Sequence, residues 1–308
     1  MTRRRQGFTI AELLISMTIG MVVITAVTSF SMRSWQTRRG WTVRESVDRN
    51  ARFVGLSLAR DAQEAGIAME STPTFGSVGS FGDTLSVLSV PFAPDEAPVY
   101  AIYNDGDTLP NYPVGGNCGS TCIEFMKTNG TFTLAAGDLA RLQIGTTRRL
   151  LYLTSVVSAA SGRFRANFLP LQFLLGRKSG LDSTLLTRSG TTIQKLKAVV
   201  YWRDAASKSL MRADQFDNAA RPLGRVLATG AEAFTTSILF IGNREAPSYS
   251  GLDTDTLNDG NDIIGVHVRA QLKTEKVDPA VNNGNPILRW YDWRVAPRNL
   301  LYEKNRTQ

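Results

Sequence analysis

The sequence predicts an α+β fold, in which one long N-terminal helix packs on a large, mainly antiparallel β head, and three observations predict it. Residues 8–30 read FTIAELLISMTIGMVVITAVTSF, an apolar run of 23 residues with one charge, Glu12. From Ser31 to Ala65 no proline interrupts the chain, and apolar residues return at spacings of three and four. After Gly66 turn residues become frequent, and helical periodicity gives way to alternation in runs rich in Thr, Ser, Val and Leu.

The apolar run comes first. At ~1.5 Å per residue it makes a helix of roughly 35 Å, more than the ~30 Å hydrocarbon core of a bilayer. It follows a short basic leader, Met1 to Gly7, with Arg3, Arg4 and Arg5. It is too long for the core of a secretory signal peptide, about 7–15 residues, and no small-x-small cleavage site follows it. A plain membrane anchor accounts for length and hydropathy but not for Glu12. A carboxylate in a spanning helix costs roughly 2.5–3.5 kcal/mol on insertion scales and calls for a partner. Arg33, Arg38, Arg39 and Arg44 follow the run, so the balance of flanking cations does not by itself set an orientation.

The helix continues beyond the run. Val47, Ala51, Val54, Leu58, Ala62 and Ala65 form an apolar stripe expected to pack on the head, while Arg44, Asp48, Arg52, Arg60, Asp61 and Glu64 take other faces. Gly66 reads as the stop signal, giving a helix from about Thr9 to Ala65.

Strands are expected at 83–90, 149–157, 195–202, 209–212, 266–272 and in the closing stretch 289–301. In 195–202, Leu196, Ala198, Val200 and Trp202 alternate with Lys195, Lys197, Val199 and Tyr201, the pattern of a half-buried strand; Ser207-Lys208 turns it into the next one. Residues 91–148 and 241–261 carry no clear pattern and read as long loops or insertions.

The N-terminal residues carry a family resemblance. Gly7-Phe8-Thr9-Ile10-Ala11-Glu12-Leu13-Leu14 resembles the start of type IV prepilins: a short basic leader ending in Gly, an apolar residue, and a Glu five positions after the Gly. The resemblance implies a pilin-like fold with a leader at 1–7, a transmembrane and filament-core helix at 8–30, its amphipathic continuation at 31–66 and a periplasmic head at 67–308. It also implies that a prepilin peptidase cuts between Gly7 and Phe8 and methylates the new amine of Phe8. Glu12 then meets the Phe8 ammonium of a neighbouring subunit, a matched pair that makes a buried acid tolerable and sets the stagger of bundled rods. Ala11 replaces the larger aliphatic residue usual there. The run has no proline, so the local helix melting of many major pilins is not implied.

Further segments resemble minor pilins of the PilW kind: Asn50-Ala51-Arg52-Phe53, Leu58-Ala59-Arg60-Asp61, Ala65-Gly66-Ile67, the hairpin ending in Leu210-Met211-Arg212, residues 226–234 and the tail 289–301. This resemblance implies a subunit that primes pilus assembly and sits at the tip, with other minor pilins, the major pilin, a tip adhesin and the prepilin peptidase as partners. It implies a single-pass protein of the inner membrane, N-terminus inside, that passes into a pilus serving motility, adhesion or DNA uptake. A J-type minor pseudopilin of a type II secretion system shares the rod and hairpin features and is the alternative. A membrane-anchored adhesive or binding module is the alternative from another class.

The remaining chemistry is sparse. An exported head would favour a disulfide between Cys118 and Cys122, the only cysteines. His267, the only histidine, alternates onto what reads as the exposed face of its strand, and no nucleophile motif accompanies it, so no enzyme is expected. Asp253, Asp255, Asp259 and Asp262 surround Gly260 in an acidic loop, a weak calcium candidate: Leu257 stands where an EF-hand needs a ligand and no Glu closes the loop. Calcium is the one cofactor considered. Trp290, Tyr291 and Trp293 read as core, with an exposed binding patch as the alternative. The net charge of +8 falls to +5 without the leader's three arginines, and the cations look scattered, so nucleic acid is not an expected partner.

Overall fold

The computed structural model describes residues 9–69, 71–91, 99–101, 122–126, 134–144, 147–159, 163–169, 171, 191–249, 258–275, 277–279, 281–297 and 299–300. One helix, α1, runs from Ile10 to Gln63. Its hydroxyl residues do not break it, because they bond back to the preceding turn. Thr25 Oγ1 donates to the Met21 carbonyl at 2.7 Å and Thr28 Oγ1 to the Ile24 carbonyl at 2.7 Å. The helix unwinds at Gly66, whose φ of +74° suits glycine and whose N–H donates to the Leu88 carbonyl at 3.0 Å.

The chain divides into two compact units, Met1–Arg49 with Thr274–Leu288, and Asn50–Lys273 with Arg289–Gln308. In the first, the return segment closes on itself: Thr274 N–H donates to the Ile287 carbonyl and Ile287 N–H to Thr274 Oγ1, both at 3.0 Å. Asp278 from this segment meets Arg39 of α1 at 3.9 Å.

The second unit holds two sheets. The strands, in chain order, are β1 (Val78–Phe81), β2 (Thr84–Ser89), β3 (Val99–Ala101), β4 (Cys122–Met126), β5 (Leu139–Ile144), β6 (Thr147–Ser158), β7 (Arg163–Leu169), β8 (Thr192–Asp204), β9 (Ser209–Ala213), β10 (Arg225–Ala228), β11 (Ala231–Phe240), β12 (Arg244–Ala246), β13 (Ile263–Lys273) and β14 (Leu288–Val295). The larger sheet follows the order β1-β2-β8-β5-β6-β7-β4, with β3 and β9 also on β8 and β10 beside β9. Strand β8 joins its halves. Thr192 to Leu196 pair with β5, Lys197 to Trp202 with β2 and Val200 to Asp204 with β9, all antiparallel. The smaller sheet has the order β12-β11-β13-β14.

Both faces of the larger sheet are covered. Ala140, Leu142, Leu151, Leu153 and Ile193 pack with Phe125 and Phe168 in one cluster, while Leu139, Leu150, Tyr152, Leu196 and Ala198 pack with Phe75 in another. A strand buried on two faces loses its alternation, which is why Leu150 to Leu153 are four successive apolar residues. The same fact corrects the half-buried reading of β8: Ala198, Val199, Val200 and Tyr201 are all buried, and Trp202 is less so.

Two further expectations fail. The region 91–148, read as loop, supplies β3, β4 and β5, and β5 is interior to the sheet. Its sequence, LARLQI, places an arginine where a core strand should be apolar; Arg141 is buried and its Nη2 donates to Gln194 on β8 at 2.7 Å. Within 241–261 the short β12 pairs with β11.

Candidate assembly site

At its N-terminus α1 builds a reciprocal cap. Thr9 N–H donates to Glu12 Oε2 at 3.0 Å, Thr9 Oγ1 donates to the same oxygen at 3.0 Å, and Glu12 N–H donates to Thr9 Oγ1 at 3.3 Å. This is a capping box, Thr at the N-cap and Glu three residues on. Sequence reasoning singled out Glu12 and missed Thr9, although the Thr-x-x-Glu spacing was there to find it. The acid that seemed to need a partner has one within its own chain, leaving its other oxygen for a second. Gly7 and Phe8, the expected cleavage pair, lie outside the described residues.

Beyond the cap, as far as Phe30, α1 carries no charge and is apolar on every side. Ile10, Met21 and Phe30 are 82%, 74% and 76% exposed, and no part of the most apolar window is covered by the rest of the chain. Such a surface needs lipid or neighbouring helices around it.

Residues 2–28 match the family model for a prokaryotic N-terminal methylation motif. That match supports a type IV pilin-like protein and implies processing by a prepilin peptidase and assembly with other pilins. Together with a helix long and apolar enough to cross a bilayer, it fits membrane anchoring and association with a pilus. A pilin-type N-terminal motif points to a structural protein. No curated protein and no solved structure matches the chain.

The C-terminal end of α1 is tied into the head. Val54, Leu58, Ala62 and Ala65 are buried to 1% exposure or less. Beside them Asp61, 3% exposed, accepts from Arg212 Nε at 2.7 Å and Nη2 at 3.2 Å, and a short bond from the Tyr201 hydroxyl. Burial and the negative charge of Asp61 push the Tyr201 phenol up, and the bond to Asp61 holds Arg212 more firmly protonated. Glu64 accepts from Lys197 at 2.6 Å. Asn299 Nδ2 donates to the Gln63 and Ala65 carbonyls at 3.4 and 3.5 Å, satisfying carbonyls at the helix end. Asp61, Arg212 and Asn299 come from three separate segments of the chain; folded, they form one anchorage. Gly55 makes room for it, since a Cβ there would lie 2.4 Å from Trp293 Nε1.

The other candidates fall elsewhere. Cys122 is buried at the start of β4 and disulfide-bonded; Cys118 lies outside the described residues. Asp253 and Asp255 also lie outside them, while Asp259 Oδ1 accepts from the N–H groups of Asn261 and Asp262 and so shapes its own turn. Among the described residues no three His, Cys, Asp or Glu side chains converge on a metal position. Trp290 is 50% exposed with Arg269 5.1 Å from its ring centre, which corrects the core reading; Tyr291 and Trp293 are half-buried and stacked at 6.0 Å.

His267 is the clearest correction. The alternation is right, but its face is not open. Glu245 of β12 lies 2.7 Å from Nδ1 and Asp292 of β14 lies 2.8 Å from Nε2, and the side chain is 8% exposed. His267 holds the Asp292 carboxyl below its usual range; Ser237, and then His267, do the same for Glu245. Ser237 Oγ donates to Glu245 at 2.5 Å, so the acid stands between hydroxyl and imidazole. A nucleophilic triad needs the imidazole in that place.

Proposed function

We propose that this chain is a minor type IV pilin of the PilW kind that primes pilus assembly and remains at the tip. The observation that carries the reading is the disproportion between rod and head. A path of seven strands is roughly 30 Å across at ~4.8 Å per strand, whereas packed helices sit about 8–10 Å apart. A subunit with such a head repeats poorly along a shaft of close-packed rods, and a terminal position removes the clash.

In this reading the peptidase cuts after Gly7 and methylates Phe8, and the mature chain waits in the membrane with Glu12 held by Thr9. On assembly Glu12 turns its free oxygen to the Phe8 ammonium of a neighbour, and the Asp61–Arg212 anchorage keeps the head fixed to the rod that has been captured. Deleting the protein and counting pili tests it: a fall in number, with label against the head confined to filament ends, is expected. Unchanged pilus number or label along the shaft overturns it. Lost protein secretion with intact pili would assign the chain to a type II pseudopilus. Intact-mass measurement of the mature chain is expected to give a start at methylated Phe8.

A further inference from the structure

Just beyond the apolar run, α1 carries an exposed ridge in which aromatic and cationic side chains alternate. Trp35, Arg38, Trp41 and Arg44 stand three residues apart, so each neighbours the next on the helix surface, and Arg39 lies four residues from Trp35. The arginines that look scattered in the sequence are therefore gathered around two tryptophans, 66% and 72% exposed. No acidic residue occurs between Glu12 and Glu45. Among the described residues, the ion pair these arginines make is that of Arg39 with Asp278, loose at 3.9 Å and half exposed.

The ridge continues a groove. A hollow of about 430 Å³ runs along one face of α1, lined in order by Thr28, Ser31, Met32, Trp35, Gln36 and Arg39. An adjoining hollow of about 350 Å³ adds Arg38, Thr42, Val43 and, from the return segment, the apolar Val277 and the Asp278 carboxylate that faces Arg39. The groove changes along its length, from methyl and thioether groups at the Phe30 end of the run, through an indole, to amide and guanidinium groups. Trp35 is five residues past Phe30, roughly 7.5 Å, and Arg39 roughly 13 Å. The interfacial layer beyond the hydrocarbon is about 5–7 Å deep, so Trp35 stands at headgroup level and the arginines reach back to it along their aliphatic stems.

We propose that this ridge binds anionic phospholipid, its acyl chain beside Thr28 and Met32 and its phosphate held by Arg38 and Arg39, in the leaflet where α1 leaves the bilayer at its Phe30 end. The lipid phosphate replaces the contact of Asp278 with Arg39. A phospholipid has an apolar part and an anionic part joined in the order that the groove offers. Nucleic acid has no part for the apolar end, and an acidic helix would have to leave that end to lipid. The proposal rests on the membrane-anchored reading of α1. It gives a reason for cations on both flanks of the run, since a lipid phosphate compensates those at the Phe30 end.

Full-length protein is reconstituted into vesicles of phosphatidylcholine, or of phosphatidylcholine with phosphatidylglycerol, tested for flotation, and then examined by native mass spectrometry for the lipid that stays bound. Preferential retention of phosphatidylglycerol is expected, lost in R38Q/R39Q by roughly fivefold per arginine. Trp35→Ala, which leaves the charge alone, is expected to shorten retention of either lipid. Protein that floats but retains both lipids equally, a double variant that keeps the preference, or single-stranded DNA that displaces the lipid overturns the proposal while leaving the anchor intact. Protein that floats with neither vesicle overturns the anchor and the proposal together.

Discussion

One continuous helix presents two kinds of apolar surface. In its first half Leu14 is 58% exposed and Met21 74%; in its second, Val54 and Leu58 are covered to 1% or less. The halves differ in composition and in pattern. The first half is apolar all round and finds no cover in its own chain, whereas the second is a stripe that its own head covers. The polar groups follow the same division. Glu12 bonds to a residue three positions away, and Asp61 to one 151 positions away. A local bond can form in any surroundings and can be exchanged, which suits a helix that passes from lipid to filament. A long-range bond exists only in the folded head and fixes the helix to it.

The strongest way to break this contrast is to remove the long-range bond. Asp61→Ala leaves the Arg212 guanidinium and the Tyr201 hydroxyl without their acceptor, and a loss of about 3–5 kcal/mol in head stability is expected in denaturant unfolding of the detergent-solubilised protein. Glu12→Ala in the same assay is expected to leave head stability unchanged while abolishing incorporation into fibres. If both variants unfold alike, the two halves of α1 are not distinct.

The next largest effect compares one substitution at two places. Leu58→Ala should destabilise the head by about 2–5 kcal/mol through lost burial and a cavity, and Leu14→Ala should stay within about 0.5 kcal/mol. Removal of the N-terminal cap sharpens the local side. Thr9→Ala is expected to loosen the first turn by about 0.5–2 kcal/mol, seen as faster exchange of the Leu13 amide, which donates to the Thr9 carbonyl at 3.2 Å.

The smallest effect is in the second sheet. Asp292 and Glu245 are held below their usual values of 3.8 and 4.5, so they contribute stability above those values that is lost as pH falls through the depressed ones. Unfolding midpoints measured from pH 5 downward should fall, and less steeply in His267→Gln, which removes the imidazole ring that contacts both carboxylates. An equal slope in the variant would leave the acid–histidine–acid contact without energetic weight.

The strands show how far pattern reading carries. Asp83 to Val90, Arg149 to Val157 and Val266 to Leu272 were legible because β-branched and apolar residues cluster between turn residues. Strand β5 was not, because Arg141 interrupts it and its burial depends on Gln194 from a distant strand. The Glu12 part of the candidate site was legible, while Thr9 went unread beside it.

The sequence by itself determined the rod: its length, its all-round apolar half, its stripe and its ends, since helix periodicity, hydropathy and capping are properties of neighbours in the chain. Only the tertiary structure decided which charges meet, Asp61 with Arg212 and His267 with Glu245 and Asp292. Those meetings depend on strand order and register, which arise from the packing of the whole head and are written in no local stretch of it.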